Sequence, residues 1–256
     1  MARQEPESVN ILGVPVSVID MATALETIDQ WIQARRPQYI CLRDVHGVMA
    51  CQDDPALLEI HRRAGLVAPD GMPLVWLGRL MGYRAIRRVS GPDLMPALCK
   101  RSLEKGYRHF FYGGGPGIPE RLAEKLQARF PGLKVVGVHS PPFRALTEAE
   151  DAAVVQEIND SGADIVWVGL STPKQERWMA DHLGRLDASI MLGVGAAFDI
   201  HAGEIKRAPA WMQKSGLEWF FRLLSEPRRL WRRYVVLAPK FLFLAALQLL
   251  GLKRYG

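Results

Sequence analysis

Short apolar runs alternate along most of the chain with longer stretches of helical period. Gln38-Tyr39-Ile40-Cys41-Leu42, Gly65-Leu66-Val67-Ala68, His109-Phe110-Phe111-Tyr112 and residues 133–138, 164–168 and 189–194 are apolar runs of strand length. Their continuity fits strands buried on both faces. Between them, residues 21–34, 92–105, 119–129, 148–159 and 174–182 repeat apolar positions every three or four residues, which predicts helices. Asp20 and Thr147 stand where N-caps belong, and Glu150, three residues after Thr147, completes a capping box. Strand and helix in alternation predict an α/β fold: a mostly parallel sheet with helices on both faces. Residues 11–19, with Gly13 and Pro15, read instead as a small hairpin.

In a sheet of this kind ligands bind beyond the carboxyl ends of the strands. The residues that follow each predicted strand are therefore the candidate rim of a site. They are Arg43-Asp44-Val45-His46, Asp70-Gly71-Met72-Pro73, Gly113-Gly114-Gly115-Pro116-Gly117, the segment from Gly169 through Thr172-Pro173-Lys174-Gln175-Glu176, and Gly195-Ala196-Ala197-Phe198-Asp199.

The last fifty residues change the picture. Residues 204–256 hold 11 Lys and Arg against 3 Asp and Glu, whereas residues 1–203 hold 22 against 24. The same tail carries Trp211, Trp219, Phe220, Phe221, Trp231 and Phe241-Leu242-Phe243-Leu244. Basic residues draw a segment to an anionic lipid surface, and aromatic and aliphatic ones let it sink in. The division expected is a core over residues 1–203 and a basic, apolar, amphipathic helical appendage over 204–256. Such a density of Leu, Phe and Trp favours lipid over nucleic acid. Residues 235–252 are the candidate span, but Pro239, Lys240 and Gln248 interrupt them, and they fall short of the ~20 apolar residues a crossing needs. A lysine there costs roughly 3 kcal/mol on insertion. An interfacial helix is expected, peripheral or monotopic on the inner membrane face.

Bulk composition is that of a globular protein, 48% hydrophobic and 23% charged over 256 residues. The polar N-terminus lacks the apolar region of a signal peptide, and three scattered cysteines fit a reducing, cytoplasmic compartment. No His or Cys spacing marks a metal site, no Asp-x-Asp string is present, and no cofactor is indicated. Oligomeric state stays open, a homo-oligomer included.

Three strings carry candidate chemistry. Asp70, after a strand and before Gly71 and Pro73, reads either as a turn residue or as an ionised carboxylate at a pocket mouth, able to take a proton from a sugar hydroxyl. Gly113 and Gly114 read either as a tight strand-to-helix turn or as a backbone that phosphate oxygens can approach. The pattern is not G-x-G-x-x-G, which disfavours an NAD-dependent oxidoreductase. Thr172 and Pro173 read as N-cap and first helical position, with Lys174 and Gln175 near the positive helix end, where a diphosphate or a sugar hydroxyl would sit.

Taken together, the strings from Arg43 to Met49, Ala68 to Pro73, Arg88 to Leu94, Phe111 to Gly114, Gly169 to Glu176 and Gly193 to Asp199 resemble the WecG/TagA/CpsF family of bacterial glycosyltransferases. The tail matches too, through Arg207-Ala208-Pro209, Gly216-Leu217-Glu218-Trp219 and Glu226-Pro227-Arg228-Arg229. The resemblance implies a compact Rossmann-like fold with a mobile appendage. It implies inverting transfer of a hexose-type sugar from a UDP-sugar to a polyprenyl-diphosphate-linked acceptor, in exopolysaccharide or cell-surface glycan synthesis. It places the catalytic carboxylate at Asp70, a basic substrate contact at Arg88, a sugar-contacting amide at Gln175, a nucleotide-side carboxylate at Asp199 and diphosphate-closing arginines at Arg222, Arg229 and Arg232. One departure stands out. Leu42-Arg43-Asp44 replaces the family's Thr-x-Asn, so Asp44 is expected to take over part of that role. The rival reading is a membrane-associated nucleotide-binding regulator that performs no transfer.

Overall fold

The computed structural model describes residues 6–255, apart from the side chains of Lys214 and Arg229. The residues 1–5 at the head of the polar N-terminus lie outside those described. The chain opens with an antiparallel hairpin, β1 (Ser8–Ile11) and β2 (Val14–Ser17). Its two-residue turn, Leu12-Gly13, has positive φ at both positions, 50° and 88°. That geometry matches the twist of the flanking strands, and glycine adopts it without strain.

Six parallel strands follow: β3 (Gln38–Arg43), β4 (Leu66–Pro69), β5 (Arg108–Gly113), β6 (Lys134–His139), β7 (Ile165–Gly169) and β8 (Ile190–Gly193), in the spatial order β4-β3-β8-β7-β5-β6. Side chains alternate between two cores. Ile40, Leu42, Phe111, Ile165, Trp167, Ile190 and Leu192 face one layer. Tyr39, Cys41, Phe110, Tyr112, Val166, Val168 and Met191 face the other. The first layer is covered by α1 (Met21–Gln33), α5 (Gly91–Lys105), α6 (Ile118–Arg129) and α9 (Ala197–Ala202). The second is covered by α7 (Glu148–Ser161) and α8 (Lys174–His182). This is the expected Rossmann-like α/β sheet, and both expected N-caps form: Asp20 accepts from Thr23, and Thr147 makes the capping box with Glu150.

Among the helices outside the predicted stretches are α2 (Val45–Asp53) and α3 (Pro55–Arg62), between β3 and β4. Their apolar period is weak or short, but Asp44 and Asp54 cap them by accepting from the Gly47 and Leu57 amides. With α4 (Met72–Leu80) and the hairpin, α2 encloses a third core. One expectation is corrected. Thr172 is not the N-cap of α8 and Pro173 is not its first residue: Pro173 holds the cap position, α8 begins at Lys174, and the Thr172 hydroxyl is engaged by Glu176 and Arg43 instead.

The tail folds as α10 (Ala210–Lys214), α11 (Glu218–Ser225), α12 (Pro227–Trp231), a π-helical turn over Arg232–Leu237 and α13 (Ala238–Leu249). Phe241 and Ala245 of α13 are buried in the hairpin core. Gln248 closes the hairpin turn's backbone, accepting from Leu12 N at 3.0 Å and donating to Asn10 O at 2.7 Å. Leu242, Phe243, Leu249 and Leu250 project from the same helix into solvent. Thus α13 is apolar on both faces, one covered by the core and one not. Among the described residues no helix is long and apolar enough to cross a membrane.

Candidate active site

Asp70 reaches its position because the ends of β3 and β4 lie close together. The Arg43 carbonyl accepts from the amides of both Asp70 and Gly71, at 2.8 and 3.1 Å. A side chain at Gly71 would begin 3.1 Å from the Asp44 Cα, so glycine permits this approach. Asp44 and Asp70 are therefore brought side by side at the carboxyl edge of the sheet.

Asp70 is 30% exposed. Burial pushes its carboxyl from the ordinary 3.8 up to about 6; Arg88 pulls down, Asp44 and Glu218 push further up, and Arg222 pulls down. Arg88 donates from Nε to the Asp70 carbonyl at 2.7 Å. Its Nη2 lies 2.8 Å from Glu218 Oε2 and 3.4 Å from Asp70 Oδ1. Asp44 behaves differently. Burial pushes its carboxyl up, but Arg233, 3.3 Å away, and the Gly47 amide outweigh that and hold it below the ordinary carboxylate range. Two adjacent carboxylates are thus driven apart, one firmly ionised and one poised near neutrality.

The tail supplies much of this environment. Glu218, Arg222 and Arg233 all belong to it, Arg233 in the π-helical turn. Arg233 points to Asp44, while Arg232 is exposed. The expected contact from Arg229 falls on a side chain outside the described residues.

A second cluster lines a cleft of about 660 Å³ beyond β5, β7 and β8. Gly114, Lys174 and Asp199 border it, together with Ser171, Phe143 and Trp178. Of the two candidate glycines only Gly114 lines the cleft. Gly113 is a close-approach residue: a Cβ there would fall 2.7 Å from the Gly169 backbone, at φ +125°. The turn reading therefore accounts for Gly113, and both readings apply to Gly114.

Gln175 joins the two clusters. It is buried, and its amide N–H donates to Glu176 Oε1 at 2.8 Å. Glu176 is fully buried against Arg43, the residue preceding Asp44. The Arg43–Glu176 ion pair thus ties the start of α8, where Lys174 borders the cleft, to the end of β3 beside Asp44. Among the described residues, Gln175 Oε1, Glu176 Oε2, Arg43 Nε, His46 Nδ1, Arg222 Nε and Arg233 Nε are buried without a hydrogen-bond partner. Buried polar atoms are paired in all but a few cases. All six lie at or behind the edge that holds Asp44 and Asp70 or in the segments packed on it.

Residue-pattern reasoning did not single out Glu176, His46, Glu218 or Arg207 for a role. All four lie inside motif strings quoted above, so the strings were the available signal. Nothing in a sequence shows that a carboxylate in a polar helix start is fully buried.

The architecture and the site define a class: a Rossmann-like α/β enzyme-type fold whose carboxyl edge sets one near-neutral carboxylate among arginines beside a glycine-walled cleft. Comparison narrows the class. The model of the Glycosyl transferase WecG/TagA/CpsF family matches residues 9–255, and the chain belongs to that family. Two relatives carry the name N-acetylglucosaminyldiphosphoundecaprenol N-acetyl-beta-D-mannosaminyltransferase. That of Bacillus subtilis (strain 168) is 29% identical over 188 residues, 73% of this chain and 71% of its own. That of Bacillus spizizenii is 31% identical over 195 residues, 76% of this chain and 73% of its own.

Proposed function

We propose that the protein is an inverting transferase that moves a hexose-type sugar from a UDP-sugar to a polyprenyl-diphosphate-linked acceptor at the inner membrane face. The observation that carries this reading is the Asp70 carboxyl, held near neutrality between Arg88, Asp44 and Glu218 at the sheet's carboxyl edge. A base of that strength suits proton abstraction at neutral pH. The relatives' printed activity, transfer to a diphosphoundecaprenol-linked sugar, makes UDP-N-acetylmannosamine the first donor to assay.

In this mechanism the nucleotide occupies the cleft walled by Gly114, Lys174 and Asp199. The Gln175 carbonyl accepts a hydrogen bond from the donor sugar. Asp70 takes the proton of the acceptor hydroxyl as its oxygen bonds to the anomeric carbon. The bond from that carbon to UDP breaks on the opposite side, and the electron pair leaves with the diphosphate. Lys174 in the cleft wall, Arg88, Arg222 and Arg233 at the Asp44–Asp70 edge, and Arg229 and Arg232 of the appendage are the cations assigned to the developing charge, in the manner of preorganised electrostatic stabilisation. The acceptor lies in a bilayer, and the outer stripe of α13 (Leu242, Phe243, Leu249 and Leu250) supports docking there.

The test is release of UDP by purified protein, with and without a lipid-linked acceptor analogue. A transferase releases UDP only when the acceptor is present. A regulator binds UDP and releases nothing, and that outcome sinks the proposal.

A further inference from the structure

Arg88 has one good carboxylate partner, and it is not Asp70. Its Nη2 sits 2.8 Å from Glu218 and 3.4 Å from Asp70, so the appendage carboxylate holds Nη2 more firmly than the Asp70 carboxylate does, while Nε stays on the Asp70 backbone carbonyl at 2.7 Å. Glu218 is itself fixed from behind. Its other oxygen accepts from Arg207 Nε at 3.1 Å, and Arg207 forks onto both oxygens of Asp93 at 2.6 and 2.9 Å. Asp93 stands in the first turn of α5 and takes a further bond from Ser90. The chain Asp93–Arg207–Glu218–Arg88–Asp70 therefore runs from the core, through the appendage, and back to the base.

An arginine closing on a carboxylate with both N–H groups holds it firmly ionised and makes it a weak base. Here the guanidinium is divided. We propose that Glu218 is a positioning residue for the base: by sharing Arg88 it keeps that cation from closing on the Asp70 carboxylate, so that docking of α11 completes the site. The inference rests on the reading of Asp70 as the base. The charged groups facing Asp70 are Arg88, Asp44, Glu218 and Arg222, and Asp44 in turn faces Arg233 and His46. Removing Glu218 both takes away a negative charge and releases Arg88, the cation that touches the Asp70 carboxyl.

The experiment is the pH dependence of kcat for UDP release by the full-length protein and two variants. Glu218→Gln keeps the shape and an oxygen for Arg88, so the appendage stays docked. Its acid limb should move down by ~0.5–1 pH unit, with a lower plateau, because Arg88 then turns to Asp70. Arg207→Met acts in the opposite sense. Glu218 is left to Arg88 alone, and the limb should move up. Direct NMR titration of the Asp70 carboxyl gives the same ordering without turnover, which covers a step other than proton transfer limiting kcat. If Glu218 only tethers the appendage, both variants lose activity uniformly at every pH and the limb and titration stay where wild type has them; that result overturns the inference. The Asp70→Asn variant separates the two claims. Inactive Asp70→Asn with an unmoved Glu218→Gln limb removes this inference alone. Fully active Asp70→Asn removes the base, and this inference with it.

Discussion

Replacing Asp70 by Asn should make the protein more stable and nearly inactive at once. The carboxyl is raised from 3.8 to about 6, with burial the largest cause. The folded state therefore binds the proton more tightly than the unfolded state does. Below about pH 4 both states carry the proton and no penalty exists. As pH rises toward 6 the unfolded chain ionises freely while the folded one resists, and above 6 the penalty is complete. In a sealed site a shift of this size would amount to ~3 kcal/mol at 1.36 kcal/mol per unit. The carboxylate is 30% exposed, so solvent screening reduces it to about 1 kcal/mol. Loss of the Arg88 contact subtracts little, since that pair is 3.4 Å long. Asn keeps the shape and removes the charge, so its melting temperature should exceed wild type by about 2–4 °C at pH 7.5 and by nothing at pH 4. Turnover should fall by at least ~100-fold, the lower range for losing a general base. Wild-type kcat should itself fall as pH drops through about 6. Calorimetry at the two pH values and an acceptor-dependent UDP-release assay measure both halves. A variant that is less stable at pH 7.5 and turns over normally would show Asp70 to be a turn residue, and the reasoning would be wrong.

Four further outcomes follow from the same geometry. Arg43→Leu should destabilise the fold by about 3–5 kcal/mol, because it leaves Glu176 buried and uncompensated; denaturant unfolding of Arg43→Leu and of the double Arg43→Leu/Glu176→Leu variant checks this, and the double variant should recover most of the loss. Gln175→Leu should lower kcat/KM for the donor by ~10-fold or more, through loss of a buried hydrogen bond to the sugar. Its affinity for UDP alone, measured by calorimetry, should change little. Transfer should survive excess EDTA, since arginines are argued to meet the leaving group's charge; loss of activity that Mg²⁺ or Mn²⁺ restores would refute that account. Changing Leu242, Phe243, Leu249 and Leu250 to Ser should abolish sedimentation with anionic liposomes and leave transfer to a short soluble acceptor intact, whereas Phe241→Ser should cost ~3 kcal/mol or more of stability, because Phe241 faces the hairpin core.

The sheet was legible because each buried strand announces itself as a short apolar run, and the rim followed from the rule that ligands sit at carboxyl ends. Asp70, Lys174 and Asp199 were found on that basis and do lie at the rim. The helices α2 and α3 were not found, because their start signals are single aspartates and Asp44 had been read for its departure from a motif. Arg43 shows the limit most clearly. In sequence it is one more basic residue after a strand; in space it is 1% exposed and paired with a carboxylate from β7's following helix. Period and spacing carry no information about which buried charges face each other across 133 residues. The tail shows a second limit. Its composition reads as lipid affinity, yet part of the same Leu and Phe content serves a core contact, and only packing separates Phe241 from Phe243.

The two duties proposed for the tail fit together when its charges are followed inward. Arg222 and Arg233 each have a buried Nε without a partner among the described residues, and each lies by a carboxylate at the sheet edge. A guanidinium held in this way is desolvated but incompletely satisfied, which raises its attraction for an incoming anion. The helices that present these arginines are tied to the core at both ends, by Arg207 on Asp93 and by Gln248 on the hairpin turn. In the proposed mechanism, fixed ends and unsatisfied donors would act as preorganisation, with the positive field in place before charge develops. A surface-bound acceptor would meet that field where α11, the π-helical turn and α13 come together. On this view the basic, apolar tail is less an added anchor than the fourth wall of the site.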